Sequence, residues 1–276
     1  PAKGHAWLYA ASMAHADPAS QPRFSDRLVA SIEAARDSLR RKDPNDAAHR
    51  CRVALKRARA LARLARTAAP DAARAFNAQA RAVMASLSGA RDTAAMADAA
   101  RLVAAGARPT AKAALGRVAQ RLEQDATQSA PQALMAVDAQ IARLLIRAKA
   151  FPPVSDEELV EGAAALRRRA ERAFARAYGR TGAERRHAWR KRHKDVQVAA
   201  KMLGAAWAGV VRPASAAALN QILGAERDLL LLEERLAHDP ALAGSARAAA
   251  KARHTVRLAR RVLGAHADRI GARVYR

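Results

Sequence analysis

Apolar residues recur every three or four positions along most of the chain, which is the spacing of one face of an α-helix. Residues typical of helix starts, and glycine or proline breaks, divide this pattern into segments. The predicted helices open at Ser25-Asp26, at Asp43-Pro44 (to about Thr67) and at Pro70-Asp71 (to near Ser88-Gly89), then cover about 93–105, a run to about Thr127, 131–151, 157–178, 183–204, 213–237 and 240–264. No segment alternates polar and apolar residues as a half-buried strand does. The pattern predicts an all-α fold with antiparallel neighbours joined by short loops.

Pro152-Pro153 is the clearest break in the chain. It is followed by Ser155, a good N-cap residue, and by acidic residues suited to the first turn of a helix. We therefore predict an N-terminal extension over 1–22, a first half over 23–151 and a second half over 152–276, within one domain overall.

Composition supports the helical reading. The chain of 276 residues contains 78 Ala and 41 Arg, both strong helix formers, and only 4 % aromatic residues. An all-β or doubly wound fold is therefore excluded, and the 51 % hydrophobic content argues against wholesale disorder. The formal net charge of +25 predicts a polyanionic partner without saying which polyanion.

The second predicted helix of each half carries a row of cations that begins with a histidine. The steps between them are 3, 4, 3 and 4 residues in both halves, and every position of the second row lies 138 residues after its counterpart. The first row is His49, Arg52, Lys56, Arg59 and Arg63; the second is His187, Arg190, Lys194, Gln197 and Lys201. On a helix these positions fall within a sector of about 80°, so each helix presents one longitudinal cationic stripe.

A second matched block follows each stripe. Residues 87–92 (LSGARD) resemble residues 223–228 (LGAERD), 43 residues from His49 to Asp92 and 41 from His187 to Asp228. Two ordered blocks at nearly equal spacing predict a duplicated helical bundle with a pseudo-two-fold axis. We expect Asp92 and Asp228 to hold arginine side chains or cap a helix.

The two histidine motifs resemble those of the CHAD family, the "conserved histidine α-helical domain". The first motif, His49 to Arg59, fits the family pattern His-x-x-Arg-Val-x-x-Lys/Arg-Arg-x-Arg throughout. In the second, His187, Arg190, Lys191 and Lys194 fit, while Gln197 and Val198 stand where the family usually has Arg and Tyr. The resemblance spans roughly residues 24–264.

This resemblance implies two helical bundles around a basic central cavity, non-enzymatic binding of inorganic polyphosphate, and a cytoplasmic location on polyphosphate granules. The triphosphate-processing domain that some members carry upstream is missing from this sequence, so we expect no enzymatic activity, no cofactor and no metal. The residues expected to bind polyphosphate are His49, Arg52, Lys56, Arg57, Arg59, Arg63, His187, Arg190, Lys191, Lys194 and Lys201.

Polyphosphate is a linear anion without bases, so rows of forked arginine donors suit it, and the chain is poor in the aromatic residues that would stack on bases. Two questions stay open. His49 and His187 could contact ligand or bond across the halves. Further basic residues could line the cavity or simply face solvent: Arg168, Arg169, Arg172, Arg176, Arg247, Lys251 and His254.

Two other functions compete with polyphosphate binding. The net charge alone suits a nucleic-acid-binding or nucleoid protein, for which polyphosphate would be only a competitor. A polyphosphate-processing enzyme would need carboxylates to hold Mg²⁺, and Asp92 with Asp228 is the available pair. Cys51 is the only cysteine, which excludes an intrachain disulfide, and no stretch is apolar enough for a membrane span.

Overall fold

The computed structural model describes residues 23–135, 137–180, 182–203 and 213–275, and the predicted N-terminal extension lies outside these ranges. Every element in the described ranges is a helix. In chain order the α-helices are α1 (Phe24–Ser38), α2 (Pro44–Leu64), α3 (Pro70–Ser86), α4 (Ser88–Ala105), α5 (Pro109–Met135), α6 (Asp138–Lys149), α7 (Asp156–Ala177), α8 (Ala183–Leu203), α9 (Pro213–His238) and α10 (Ala246–Tyr275), with a 3-10 helix at Pro240–Ala243 before α10. The predicted all-α class is confirmed.

Two predicted helix starts form as the capping residues dictate. Asp43 accepts a hydrogen bond from the backbone N–H of Asn45, with Pro44 at the first helical position of α2. At α7, Ser155 Oγ accepts from the Glu158 N–H at 3.2 Å, and the Glu158 carboxylate accepts from the Ser155 N–H at 2.8 Å. Both devices satisfy amide groups that the first turn leaves without intrahelical partners.

Two predicted boundaries are wrong. The break expected at Pro131 does not occur, because α5 continues to Met135. Packing outweighs the cost of proline there: Ala126 is buried on one side and Leu134 packs against the core on the other. The last helix begins at Ala246, after Gly244 at φ 93°, and runs past Gly264 to Tyr275.

The buried side chains form two cores within the described ranges. The first joins α1, α2, α3, α6, α7 and α8 with the beginning of α9 and the end of α10. The second joins α4 and α5 with the later part of α9 and the beginning of α10. Each core thus takes side chains from both sides of Pro152-Pro153, and α9 and α10 run through both. The pseudo-two-fold relation between the halves stays a prediction.

Two glycines bring helices from different parts of the chain into close contact. A Cβ at Gly162 of α7 would overlap the carbonyl oxygen of Leu64 at the end of α2. A Cβ at Gly271 of α10 would lie 2.7 Å from the Trp189 ring of α8 and 2.8 Å from the Phe174 ring of α7. These approaches bring α2 and α8, the two helices with the cationic stripes, into one packed unit.

Replacing Gly162 with alanine should lower the free energy of unfolding by about 1–3 kcal/mol, because the helices must separate to admit the methyl group. The matched control is Gly116→Ala in α5, where a Cβ meets nothing within 4 Å. That change should raise stability by about 0.5–1 kcal/mol through helix propensity. Urea denaturation of both variants measures the difference, and equal effects would contradict the close approach of α7 to α2.

Candidate functional site

The two stripe helices, α2 and α8, contact each other, and a buried ion pair joins them. The Arg63 guanidinium donates two hydrogen bonds to the Asp195 carboxylate, one from Nε to Oδ2 at 2.8 Å. Its remaining nitrogen donates to Asn77 Oδ1 of α3 at 3.0 Å. Asp195 is only 2 % exposed. Burial raises the pKa of its carboxyl, while Arg63 opposes that shift.

Beside this pair lies a group of cations from three helices, here called the cationic cluster: Arg59 of α2, Arg81 of α3, and Lys191 and Arg192 of α8. Desolvation, Arg63 and Arg81 lower the pKa of Arg59 to about 10. Partial desolvation and its cationic neighbours, Arg59 and Arg81 among them, also lower the pKa of Lys191. These mutual effects place the four side chains within one electrostatic neighbourhood. A bound anion would relieve their repulsion.

His187 lies one turn before Lys191, in a small pocket between α8, α9 and α10. Arg190, Arg227 and Arg260 line the same pocket. Burial and then the neighbouring cations lower the pKa of His187 to about 4. Its Nδ1 atom is buried and has no hydrogen-bond partner among the described residues. A neutral imidazole with an unused ring nitrogen beside three arginines can engage a phosphate oxygen as a donor.

A buried network beneath this pocket fixes α8, α9 and α10 relative to one another. Arg186 donates from Nε to Glu226 at 3.0 Å, from Nη2 to the Gly264 carbonyl at 3.1 Å, and from Nη1 to Asp268. Burial disfavours its charge, but the two carboxylates outweigh that effect and raise the pKa of Arg186. Its guanidinium also lies 5.0 Å from the centre of the Trp189 ring. Gly264 lacks a Cβ that would otherwise lie 3.3 Å from Glu226, which is why α10 continues through it.

His49 does not join His187. It is exposed at the edge of a groove of about 700 Å³ between α1 and α2, which Arg57 also lines. Asp46 on this groove is already paired with Arg41 and Arg50. The two histidines therefore mark different places on the molecule.

The remaining predicted stripe residues are placed in different ways. Arg52 is buried, donates to the Met84 carbonyl at 2.8 Å and lies 3.6 Å from Asp92, as expected for an acid that holds an arginine. Lys194 is half-buried and donates to Gln197 at 3.0 Å. Lys56 and Arg190 are half-buried, and Lys201 is exposed.

The residues whose role was left open lie mostly in solvent. Arg168, Arg172 and Arg176 of α7 are exposed, and Arg169 is half-buried. Arg247, Lys251 and His254 of α10 are exposed as well. For these positions the structure favours the solvated face over the cavity wall.

A third histidine, His193, lies in the core between α8, α9 and α10 and is 0 % exposed. Its Nε2–H donates to the Ala216 carbonyl at 2.8 Å, so its Nδ1 accepts from the Tyr275 hydroxyl at 2.6 Å. Burial lowers the pKa of His193 to about 4. The side chain is thus a neutral structural link, which agrees with the packing role predicted for it.

His193 should make stability depend on pH. Since its pKa falls from about 6.5 in the unfolded chain to about 4 in the fold, its contribution is complete above pH 6.5 and is lost as the pH falls toward 4. The loss should amount to about 3 kcal/mol. Urea denaturation between pH 7.5 and 4.5 should show a flatter profile for His193→Gln than for the wild type. The exposed His238→Gln variant should retain the wild-type slope, and a parallel profile for His193→Gln would contradict the assignment.

Several residues of the site escaped sequence reasoning. Arg81 lies in an alanine- and arginine-rich helix that carries no repeat signal. Arg227 did carry a signal, since it stands in the matched 223–228 block. Asp195 occupies the position 138 residues after Arg57, so a reversal of charge between the repeats marked it.

Two searches of the described residues were negative. Within these ranges no three His, Cys, Asp or Glu side chains come together as a metal site. None of the helices described combines the length and apolar character needed to cross a bilayer.

The fold and the site define an all-helical protein built on two contacting basic helices, each of which begins its stripe with a histidine. The family model of the CHAD domain matches residues 24–237, and the chain belongs to the CHAD domain family. This confirms the resemblance seen in the histidine motifs.

The crystal structure of the CHAD domain from the plant Ricinus communis is similar to this chain, with a TM-score of 0.66 and 20 % sequence identity. The match covers 91 % of this chain and 90 % of that chain. At this identity the likeness establishes the fold alone. No curated protein matches the sequence.

Proposed function

We propose that the chain binds inorganic polyphosphate at the cationic cluster, as a non-enzymatic module that associates with polyphosphate granules in the cytoplasm. The observation that carries this proposal is the convergence of Arg59, Arg81 and Lys191 from three helices, close enough to lower the pKa values of Arg59 and Lys191. Family membership supports the same ligand. Such a cluster holds unfavourable charge repulsion that a polyanion removes on binding.

The chemistry favours polyphosphate over nucleic acid. A linear phosphate chain needs closely spaced cations and forked donors, which Arg59 and Arg81 supply. A single-stranded nucleic acid would gain from aromatic platforms, and the buried Trp189 and Phe174 pack against each other in the core instead. His187, Arg190 and Arg227 offer a second group of donors close to the cluster, on the same helix and its neighbour.

Lys191→Gln tests the site because Lys191 is exposed and contributes charge to the cluster. Its affinity for long-chain polyphosphate should fall about tenfold, equal to about 1.4 kcal/mol, through loss of one charged contact. Its melting temperature without ligand should stay the same or rise slightly, because a repelling charge is removed. The matched control, Lys112→Gln on α5, removes the same charge from an exposed position outside the cluster.

Calorimetric titration at two salt concentrations measures these affinities, which should fall steeply as salt rises. Equal affinities for the two variants would contradict the proposed site. Displacement of polyphosphate by duplex DNA at equal phosphate concentration would favour the nucleic-acid alternative. Phosphate release in the presence of Mg²⁺ would show an enzyme.

A further inference from the structure

Helix α7 carries a row of three arginines that the proposed site does not use, here called the outer row: Arg168, Arg172 and Arg176. They follow one another at steps of four residues, so they lie one above the other along about 12 Å of one helix face. All three are exposed, and Ala175 is the other exposed residue between 168 and 176.

The outer row differs from other exposed arginines in its lack of counter-charges. Arg74, Arg101 and Arg235 each form an ion pair with an aspartate one helical turn away. Arg168, Arg172 and Arg176 form no hydrogen bond or ion pair with any residue in the described ranges, and the nearby Glu171 is held by Arg167 at 2.6 Å. Like charges one turn apart repel, so the row weakens its own helix unless an anion covers it.

The outer row also points away from the cationic cluster. The opposite face of α7 carries Leu166, Ala170 and Phe174, which are buried in the first core. Phe174 packs on Trp189 of α8, at 5.1 Å between ring centres. At roughly 100° per residue, Arg168 lies almost diametrically opposite this buried face, with Arg172 and Arg176 progressively to one side. A single extended strand bound at α2, α3 and α8 would leave the row uncovered.

We propose that the outer row binds a second segment of polyphosphate, so that one protein molecule bridges two polyphosphate strands. This inference rests on the proposed function and adds a second, weaker site to it. A straight row of guanidinium groups suits a flexible linear anion, which can align with the helix. A lipid surface would be favoured by large apolar side chains between the arginines, where this row has Ala175. Three contacts bind weakly alone but gain from the high local concentration of phosphate once the first site is occupied.

The triple variant Arg168→Gln, Arg172→Gln, Arg176→Gln tests the proposal. The matched control replaces Arg74, Arg101 and Arg235 with glutamine, which removes the same charge from positions that have their own aspartates. Light scattering of long-chain polyphosphate, with protein added below saturation, measures bridging between strands. Titration with a short polyphosphate measures the first site separately.

Wild type and control should both form large cross-linked particles. The row variant should bind short polyphosphate with an affinity within about twofold of wild type, since distant sites act independently, yet form no particles. Particles as large as those of the wild type would overturn the second site, as would a tenfold loss of affinity for the short chain, which would make the row part of one site. Cross-linking of duplex DNA alone would also overturn it. Absence of any polyphosphate binding by the wild type would overturn the proposed function itself.

Discussion

Replacing Arg186 with methionine should lower the free energy of unfolding by about 3–5 kcal/mol, because two buried carboxylates lose their shared counter-charge. The side chains of Glu226 and Asp268 are only 10 % and 17 % exposed. Methionine fills much of the vacated space, so the loss reports charge more than packing. Chemical denaturation at neutral pH measures the effect. Arg186→Lys should recover only part of it, since a single ammonium group cannot make all three of the guanidinium's contacts.

Two further variants separate charge from structure at this position. Arg74→Met breaks an ion pair whose side chains are 73 % and 87 % exposed, and should change stability by less than about 1 kcal/mol. Combining Arg186→Met with Glu226→Gln and Asp268→Asn removes all three charges and should restore much of the lost stability. A combined variant as unstable as the single one would show that the arginine acts through packing rather than through its charge.

The Asp195→Asn variant should be destabilised by about 3 kcal/mol without ligand, because Arg63 loses its buried partner among other cations. The same change should tighten polyphosphate binding, since it removes the carboxylate that competes with ligand for those cations. Polyphosphate should therefore raise the melting temperature of the variant by more than it raises that of the wild type. Thermal denaturation with and without polyphosphate measures both effects on one sample.

The control for this prediction is Asp98→Asn, which breaks the exposed pair with Arg101. It should alter stability by less than about 1 kcal/mol and leave the ligand-induced shift unchanged. If Asp195→Asn loses stability but gains no additional shift with polyphosphate, the ligand does not reach Arg63. That result would move the binding site away from the contact between α2 and α8.

What could be predicted from the sequence is mainly what local chemistry decides. Asp43-Pro44 and Ser155 start helices through hydrogen bonds to their own neighbours, so their motifs were sufficient. Pro131 misled because its local cost is outweighed by the buried residues on both sides of it. The histidine motifs identified the family, since a periodic row of cations leaves a mark in the sequence even before it is folded.

Contacts between distant segments were not predictable in the same way. The Arg63–Asp195 pair spans 132 residues, and nothing in either motif indicates that the two side chains meet. The network of Arg186, Glu226 and Asp268 is specific to the second half, because alanines, Ala48 and Ala90, stand 138 residues before the first two. Differences between two repeats therefore locate tertiary contacts that the similarity alone conceals.

The composition of the two cores bears on how such a chain arose. Since each core takes side chains from both sides of Pro152-Pro153, a lone half would expose in water the apolar faces that the other half now covers. Such a fragment would have to pair with a second copy of itself to fold. Fusion of the two copies at the proline pair would then have preserved an existing dimer and freed each half to diverge, as the single-sided Arg186 network illustrates.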